Sequence, residues 1–284
     1  MTSASFIAEM LRGHTWVALT GAGLSTDSGI PDYRGPDAPP ATPMLYQEFI
    51  GSEESRRRYW ARSLQGFRSF GAARPNAGHF ALAALAKATD AELQGVITQN
   101  VDGLHSAAGS PDVLELHGAI SRVICLDCGD RTSRADLQVR LDELNPDVHG
   151  TIPAGVAELR SGASKLRPDG DAEVEHWHDF VIADCLVCGG VLKPDVVFFG
   201  ESAERPLVAR AYELVDAADV LVVAGSSLTV MSGLRFVRHQ AKHGRKVVIV
   251  NRGVTRGDDF AHVRLHAGTS ETLTELAHTL GARH

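Results

Sequence analysis

Two short runs, DVLVVAG at Asp219 to Gly225 and KVVIVN at Lys246 to Asn251, are apolar at nearly every position. A strand with one wet face alternates apolar and polar residues, so a run without alternation belongs to a strand buried on both faces. Parallel sheets covered by helices on each side meet that condition. Four further apolar runs, Trp16 to Thr20, Gln94 to Thr98, Val113 to Leu116 and His262 to His266, are separated by segments of helical period. This alternation predicts an α/β fold, a Rossmann-like parallel sheet with helices on both faces. Asn76 is expected to cap a helix through Ala81 to Ala86, Ser227 one that runs to about His243, and Thr269 or Ser270 the last one.

The segment from Cys125 to Gly190 breaks this rhythm and holds all four cysteines of the 284-residue chain. Cys125-Leu-Asp-Cys128 and Cys185-Leu-Val-Cys188, each followed by glycine, supply four thiolates to one tetrahedral ion. A full thiolate set leaves no open position for water, so one structural Zn2+ is expected. Redox chemistry by one pair would leave the other unexplained, and His176 and His178 are superfluous as ligands. The expected organisation is a main domain of residues 1–124 and 190–284 with a small zinc-binding module, 125–189, inserted in it. Lys and Arg total 28 against 35 Asp and Glu, a formal charge of −7 that disfavours nucleic acid as a partner. The apolar runs fall short of the roughly 20 residues needed to span a bilayer, and Met1 to Leu11 has no leader pattern. The expectation is a cytoplasmic protein with reduced thiols and no membrane partner.

Polar clusters fall at the carboxyl ends of the expected strands, where open α/β sheets bind ligands. The strand TWVALT runs into Gly21-Ala22-Gly23-Leu24-Ser25-Thr26, and glycines there let main-chain N–H groups approach a pyrophosphate. Alone the turn is a weak signal, because the third glycine of the usual fingerprint is missing and Gly29 comes late. Asp32, Tyr33 and Arg34 add groups suited to ribose and nicotinamide, and the irregular stretch from Pro31 to Gly51 has the length of a lid or binding loop. The next strand ends in Thr98-Gln99-Asn100-Val101-Asp102, and the one after it in His117-Gly118. A histidine there is a structural hydrogen-bonder or, beside a nucleotide cradle, a general base, because its ordinary pKa of about 6.5 suits proton transfer at neutral pH. Gly225-Ser226-Ser227 and Asn251-Arg252 end the DVLVVA and KVVIV strands with groups that fit adenine, ribose and phosphate. Leu192 to Glu201 contains an extended VVFF, either plain core or an edge that pairs with a peptide by strand addition.

Taken together, GAGLSTDSGIPDYRGP, TQNVDGLH, ELHG, CLDC, CLVC, LKPDVVFFGE, GSSL and VNRG resemble the sirtuin family, in its order and over nearly the whole chain. The PDYR variant, RRRYWARS and the long spacing between the cysteine pairs are similar to the family's class II branch. The resemblance implies an NAD-dependent protein-lysine deacylase. It places Ala22, Ser25, Thr26, Asp32, Tyr33 and Arg34 on NAD, Gln99, Asn100 and Asp102 around nicotinamide and ribose, and Gly225, Ser226, Ser227, Asn251 and Thr269 on the adenosine half. His117 would be the base, with Asn100 the second catalytic residue, and Val196, Val197 and Phe198 would pair with an acyl-lysine protein or peptide. In the implied chemistry the acyl oxygen attacks C1′ of the nicotinamide ribose, and the acyl group ends as O-acyl-ADP-ribose. Ser226 stands where Thr is frequent, with the hydroxyl retained.

An ADP-ribosyltransferase or NAD hydrolase would use the same cradle, whereas a non-catalytic NAD sensor would not need both His117 and Asn100. Sirtuins that remove dicarboxylic acyl groups carry a Tyr and an Arg three residues apart, a spacing that Tyr59 and Arg62 share. A surface helix with Trp60 packed inward is the other reading of that segment.

Overall fold

The computed structural model describes residues 3–33, 42–147 and 177–282. All six apolar runs lie in one parallel sheet, as β1 (Thr15–Thr20), β2 (Glu92–Thr98), β3 (Val113–Glu115), β7 (Val220–Ala224), β8 (Lys246–Val250) and β9 (Val263–Leu265). Their order is β3-β2-β1-β7-β8-β9. Successive side chains on a strand point to opposite faces, so Trp16, Val96, Val222 and Val248 load one face while Val17, Ile97, Val223 and Ile249 load the other. Helices α1 (Ser3–Leu11), α4 (Ala77–Leu85) and α9 (Thr269–Thr279) cover the first face through Ile7, Leu82 and Leu273. Helices α7 (Arg205–Asp216) and α8 (Met231–Lys242) cover the second through Leu214 and Phe236. Every residue of β7 is buried, which is why its sequence does not alternate.

Asn76 caps α4 as expected, accepting from the amides of Gly78 and His79 at 2.9 and 3.3 Å, while His79 Nδ1 accepts from the Asn76 amide. Two expected caps are corrected. Ser227 does not cap α8, whose N-cap is Val230; its hydroxyl meets Thr229 Oγ1 at 3.1 Å, and Leu228 between them has a φ of 55° that turns the chain before a helix can begin. For α9 the N-cap is Gly268, because the hydroxyls of Thr269 and Ser270 are used elsewhere, on the Gly23 carbonyl and the Asn76 side chain.

A second, antiparallel sheet in the order β5-β4-β6 is built from β4 (Gly118–Cys125), β5 (Arg131–Ser133) and β6 (Leu192–Val196). It starts ahead of the first cysteine and ends beyond Gly190. Helix α6 (Arg134–Leu144) packs on it, and so do α2 (Tyr46–Gly51) and α3 (Glu53–Gly71), in a core that includes Phe49, Trp60, Leu64, Val123, Leu141 and Phe180. Arg134 is fully buried there, donating to the Ser63 carbonyl and hydroxyl at 3.2 Å with its guanidinium 4.4 Å from the Phe67 ring centroid. Among the described residues, no helix is long and apolar enough to cross a membrane.

Candidate functional site

Strand order reverses between β1 and β7, since the chain leaves β1 for β2 on one side and returns as β7 on the other. The crevice at their carboxyl ends is where doubly wound sheets bind ligands. Here the two strand ends cross at van der Waals limits. A side chain on Gly21 would put Cβ 2.8 Å from the Gly225 carbonyl and Ser226 Cβ, and one on Gly23 would put it 3.0 Å from Gly225 Cα. The Gly23 amide donates to the Gly225 carbonyl at 2.8 Å, and Gly225 itself has a φ of 69°. Three glycines, two of them from the GAG turn, therefore close this crossing. Gly21 leads into the 3-10 turns Ala22–Leu24 and Thr26–Ser28 rather than an α-helix, and Gly29 ends the second with a φ of 85°.

Beside the crossing lies a cavity of about 940 Å³. Its walls include Gly21, Ala22, Gly23, Ser25, Asp32 and Tyr33 from the first loop, Gln99, Asn100 and Asp102 after β2, and His117 after β3. Val196, Val197 and Phe198 line it at the end of β6, as do Gly225, Ser226 and Ser227 after β7 and Asn251 and Arg252 after β8. Thr26 and Thr269 do not line it; their hydroxyls converge on the Gly23 carbonyl, at 3.1 and 3.2 Å. Arg34 and His176 lie outside the described residues.

A buried polar network runs beneath the floor. Asn100 Nδ2 donates to the Gly21 carbonyl at 3.1 Å and to Ser25 Oγ at 3.0 Å, and Ser25 Oγ donates to Asp102 Oδ2 at 2.7 Å. Asn100 is fixed from behind by its amide on Thr98 Oγ1, which also accepts from Thr20 Oγ1 at 2.9 Å. Thr20 in turn meets Nε2 of His105, which lies on α5 (Leu104–Ala107). The His105 and His79 rings pack edge to face with centroids 4.8 Å apart. Burial pushes His79 down to about 4 and His105 to about 3, the neighbouring His79 adding to the latter. Burial also raises the Asp102 carboxyl, against hydrogen bonds from Leu104 and Ser25 that hold it down.

His117 is placed by close packing: Gly118 has a φ of 77° and no room for Cβ, which would fall 2.0 Å from the Asp195 carbonyl. Its Nδ1 lies 2.9 Å from the Gln99 carbonyl, and its Nε2 lies 2.9 Å from Ser232 Oγ. Burial lowers its pKa, opposed by the Gln99 hydrogen bond and reinforced by the Arg235 guanidinium. Ser232 and Arg235 both line the cavity, and both were absent from the sequence reading. Ser226 Oγ donates to Gln99 Oε1 at 2.6 Å, so its hydroxyl orders the floor. The apolar end of the cavity is made by Ile30, Met44, Tyr59, Phe70 and Phe198, whereas Arg62 is not among the described lining residues.

The edge at Val196 to Phe198 is largely occupied by its own chain. The Val197 amide donates to the His117 carbonyl, the Phe198 amide to Glu201, and the Val196 and Phe198 carbonyls accept from Lys193 and the Glu201 amide. Among the described residues, the Val197 carbonyl is left without such a partner.

The four cysteines meet at one point. Their sulfurs all lie within 4.8 Å of one another, with Cys125–Cys188 at 3.5 Å and Cys128–Cys185 at 3.8 Å. A Zn–S bond of about 2.3 Å gives a tetrahedron edge of about 3.8 Å, so the donor set fits one structural zinc. Both knuckles fold alike, with the Gly129 amide on the Cys125 carbonyl and the Gly189 amide on the Cys185 carbonyl, at 3.0 and 2.8 Å. Bonds from neighbouring thiols push Cys188 up to about 12, a crowding that a divalent cation would relieve.

Fold, glycine crossing and thiolate knuckles define a Rossmann-type nucleotide-binding protein with an attached metal module. The chain belongs to the Sir2 family, whose model matches residues 21–232. It is 53% identical over 274 residues to the NAD-dependent protein deacetylase 1 of Mycobacterium avium (strain 104), covering 96% of this chain and 94% of that protein. It is 51% identical over 286 residues to the NAD-dependent protein deacetylase 1 of Streptomyces coelicolor, covering 99% and 91%. A solved Sir2–p53 peptide–NAD+ structure superposes with a TM-score of 0.68 at 29% identity, covering 100% of both chains.

Proposed function

We propose that this chain is an NAD-dependent protein-lysine deacylase, acting on acyl-lysine proteins or peptides and leaving nicotinamide, deacylated lysine and O-acyl-ADP-ribose. The observation that carries the reading is the presence of His117 and Asn100 on the wall of one cavity whose floor is the Gly21–Gly23–Gly225 crossing. Bound NAD supplies an electrophilic ribose carbon and a leaving nicotinamide, so that the acyl oxygen of a modified lysine can displace nicotinamide and the acyl group can finish on ADP-ribose.

The main chain from Gly21 to Gly23 holds the pyrophosphate, and Thr26 and Thr269 act through the Gly23 carbonyl. Ser25, Asp32, Tyr33, Arg34, Gln99, Asn100 and Asp102 hold the nicotinamide and its ribose; Gly225, Ser226, Ser227, Asn251 and Arg252 hold the adenosine half. His117 is the proton acceptor for the ribose hydroxyl, and its lowered pKa keeps the ring neutral, and therefore basic, at neutral pH. The Val197 carbonyl is the group offered to the substrate backbone. Residues 125–189, widened by the β4 and β6 strands that sheet with them, form the zinc module beside the main domain, and four reduced thiols fit a cytoplasmic location.

Met44, Tyr59, Phe70 and Phe198 make an apolar acyl wall, which favours acetyl-lysine over dicarboxylic acyl-lysines. A panel of acyl-lysine peptides assayed for NAD-dependent nicotinamide release tests this, with acetyl expected to lead. Glutaryl turnover tenfold above acetyl, lost in Arg62→Ala, would overturn the acyl preference, and no release with any peptide would overturn the activity.

A further inference from the structure

His117 is engaged at both ring nitrogens. The Gln99 carbonyl beside Nδ1 can only accept, so Nδ1 carries the proton and Nε2 of the neutral ring presents its lone pair. That lone pair, the basic site of the ring, is met at 2.9 Å by Ser232 Oγ. A ribose hydroxyl cannot take the same in-plane position on Nε2 while Ser232 holds it. Ser232 is itself fixed at the strand end. Gln99 Nε2 approaches its oxygen at 3.5 Å while Gln99 Oε1 accepts from Ser226, and a side chain on the next residue, Gly233, would meet Gln99 Nε2 at 2.9 Å. One residue, Gln99, therefore grips the imidazole with its main chain and reaches the hydroxyl with its side chain. Ser232 lines the same cavity as His117, so a residue of the ligand space touches the basic site of the ring.

We propose that Ser232 is a catalytic proton relay between the ribose hydroxyl and His117. The proposal rests on the deacylase reading above. The ribose O–H bond breaks as a new Oγ–H bond forms on Ser232; the original Oγ–H bond breaks as Nε2–H forms on His117; the electron pair left on the ribose oxygen forms a bond to the acyl carbon as that carbon's π pair withdraws onto the lysine nitrogen. Ser232 ends unchanged and His117 ends as imidazolium; the relay itself consumes nothing, and the later release of the lysine amine takes up one water. A hydroxyl suits this role because it donates and accepts at once.

Two measurements test it. In the ligand-free protein, the 15N resonance of His117 Nε2 is expected to move toward the free lone-pair value in Ser232→Ala and to stay near wild type in Ser232→Thr. An unmoved resonance in Ser232→Ala overturns the contact, and with it the relay. In turnover with NAD and an acetyl-lysine peptide, Ser232→Ala is expected to form O-acetyl-ADP-ribose about tenfold or more slowly. Exchange of labelled nicotinamide, which reports the earlier half of the reaction, should change far less, and Ser232→Thr should restore most of the rate. Equal product formation in wild type and Ser232→Ala overturns the relay and leaves the deacylase reading standing. A wild type that forms no O-acetyl-ADP-ribose overturns that reading, and the relay falls with it.

Discussion

The two sheets of this protein are held by different forces. The parallel sheet is covered on both faces by helices, and its strand β7 buries every side chain. The three-stranded sheet has a helical core on one side, and at its tip two exposed knuckles, where Leu186 and Val187 are 79% and 70% exposed and four sulfurs face one point. Burial alone can stabilise the first; the second adds to its core a donor set that fits an ion. The difference also shows in the polar groups: the parallel sheet hides neutral histidines and threonines under the nucleotide floor, whereas the small sheet carries ion pairs from the half-exposed Arg122 and Arg131 to Asp195.

The largest effect expected from this contrast is on metal removal. Cys128→Ser, or a chelator strong enough to strip zinc, should unfold the knuckles and lower Tm by about 10 °C or more, as loss of a structural metal does. Hydrogen exchange should show protection lost in β4 to β6 and kept in β1 and β7. Equal loss in both sheets would end the distinction.

Acid should strike the other region. His79 and His105 are neutral in the fold with pKa values of about 4 and about 3, against 6.5 when unfolded. Above pH 6.5 both states are neutral and nothing is lost; as pH falls below it the unfolded chain binds protons first, and stability drops until the folded values are passed. Each unit of separation is worth about 1.4 kcal/mol per group, so several kcal/mol are at stake by pH 4. Thermal unfolding from pH 7 to pH 4 should show this decline, and it should flatten in His105→Gln. An equally steep decline in that variant assigns the acid sensitivity elsewhere.

Smaller effects follow. Asn76→Ala removes the α4 cap and the side-chain bonds to the Leu24 carbonyl and Ser28, and should cost about 1–2 kcal/mol in chemical denaturation. Arg122→Ala breaks half-exposed pairs to Glu115 and Asp195 and should cost no more than about 1 kcal/mol. A larger loss for Arg122 than for Asn76 would mean that the ion pairs, rather than packing, join the two sheets.

Regions governed by local rules were legible in the sequence. The six parallel strands follow from apolar runs, the knuckles from CxxC spacing, and the α4 helix from Asn76 after Pro75. Most of the nominated cavity residues sit at strand ends, where sheet topology alone would place them. What was not legible depends on long-range pairing. The small sheet joins strands on either side of a long insertion, and α2 and α3 pack on it although they precede it by many residues. Ser227 and Thr269 read as caps because a hydroxyl before a helical pattern usually is one, yet the left-handed turn at Leu228 parts Ser227 from its helix and the distant Gly23 carbonyl claims Thr269. Ser232 gave no signal at all, since its partner His117 lies 115 positions earlier and a serine in a first helical turn has many uses.

The central claim, that an acyl group passes to ADP-ribose at this cavity with His117 as the base, is tested most directly by mass spectrometry of the products from NAD and an acetyl-lysine peptide. Wild type should give nicotinamide, deacetylated peptide and O-acetyl-ADP-ribose in equal amounts, and His117→Ala should slow product formation by about 10²–10⁴-fold while the fold is kept. Free ADP-ribose, or ADP-ribose attached to protein, in place of O-acetyl-ADP-ribose would contradict it, as would near-normal turnover by His117→Ala.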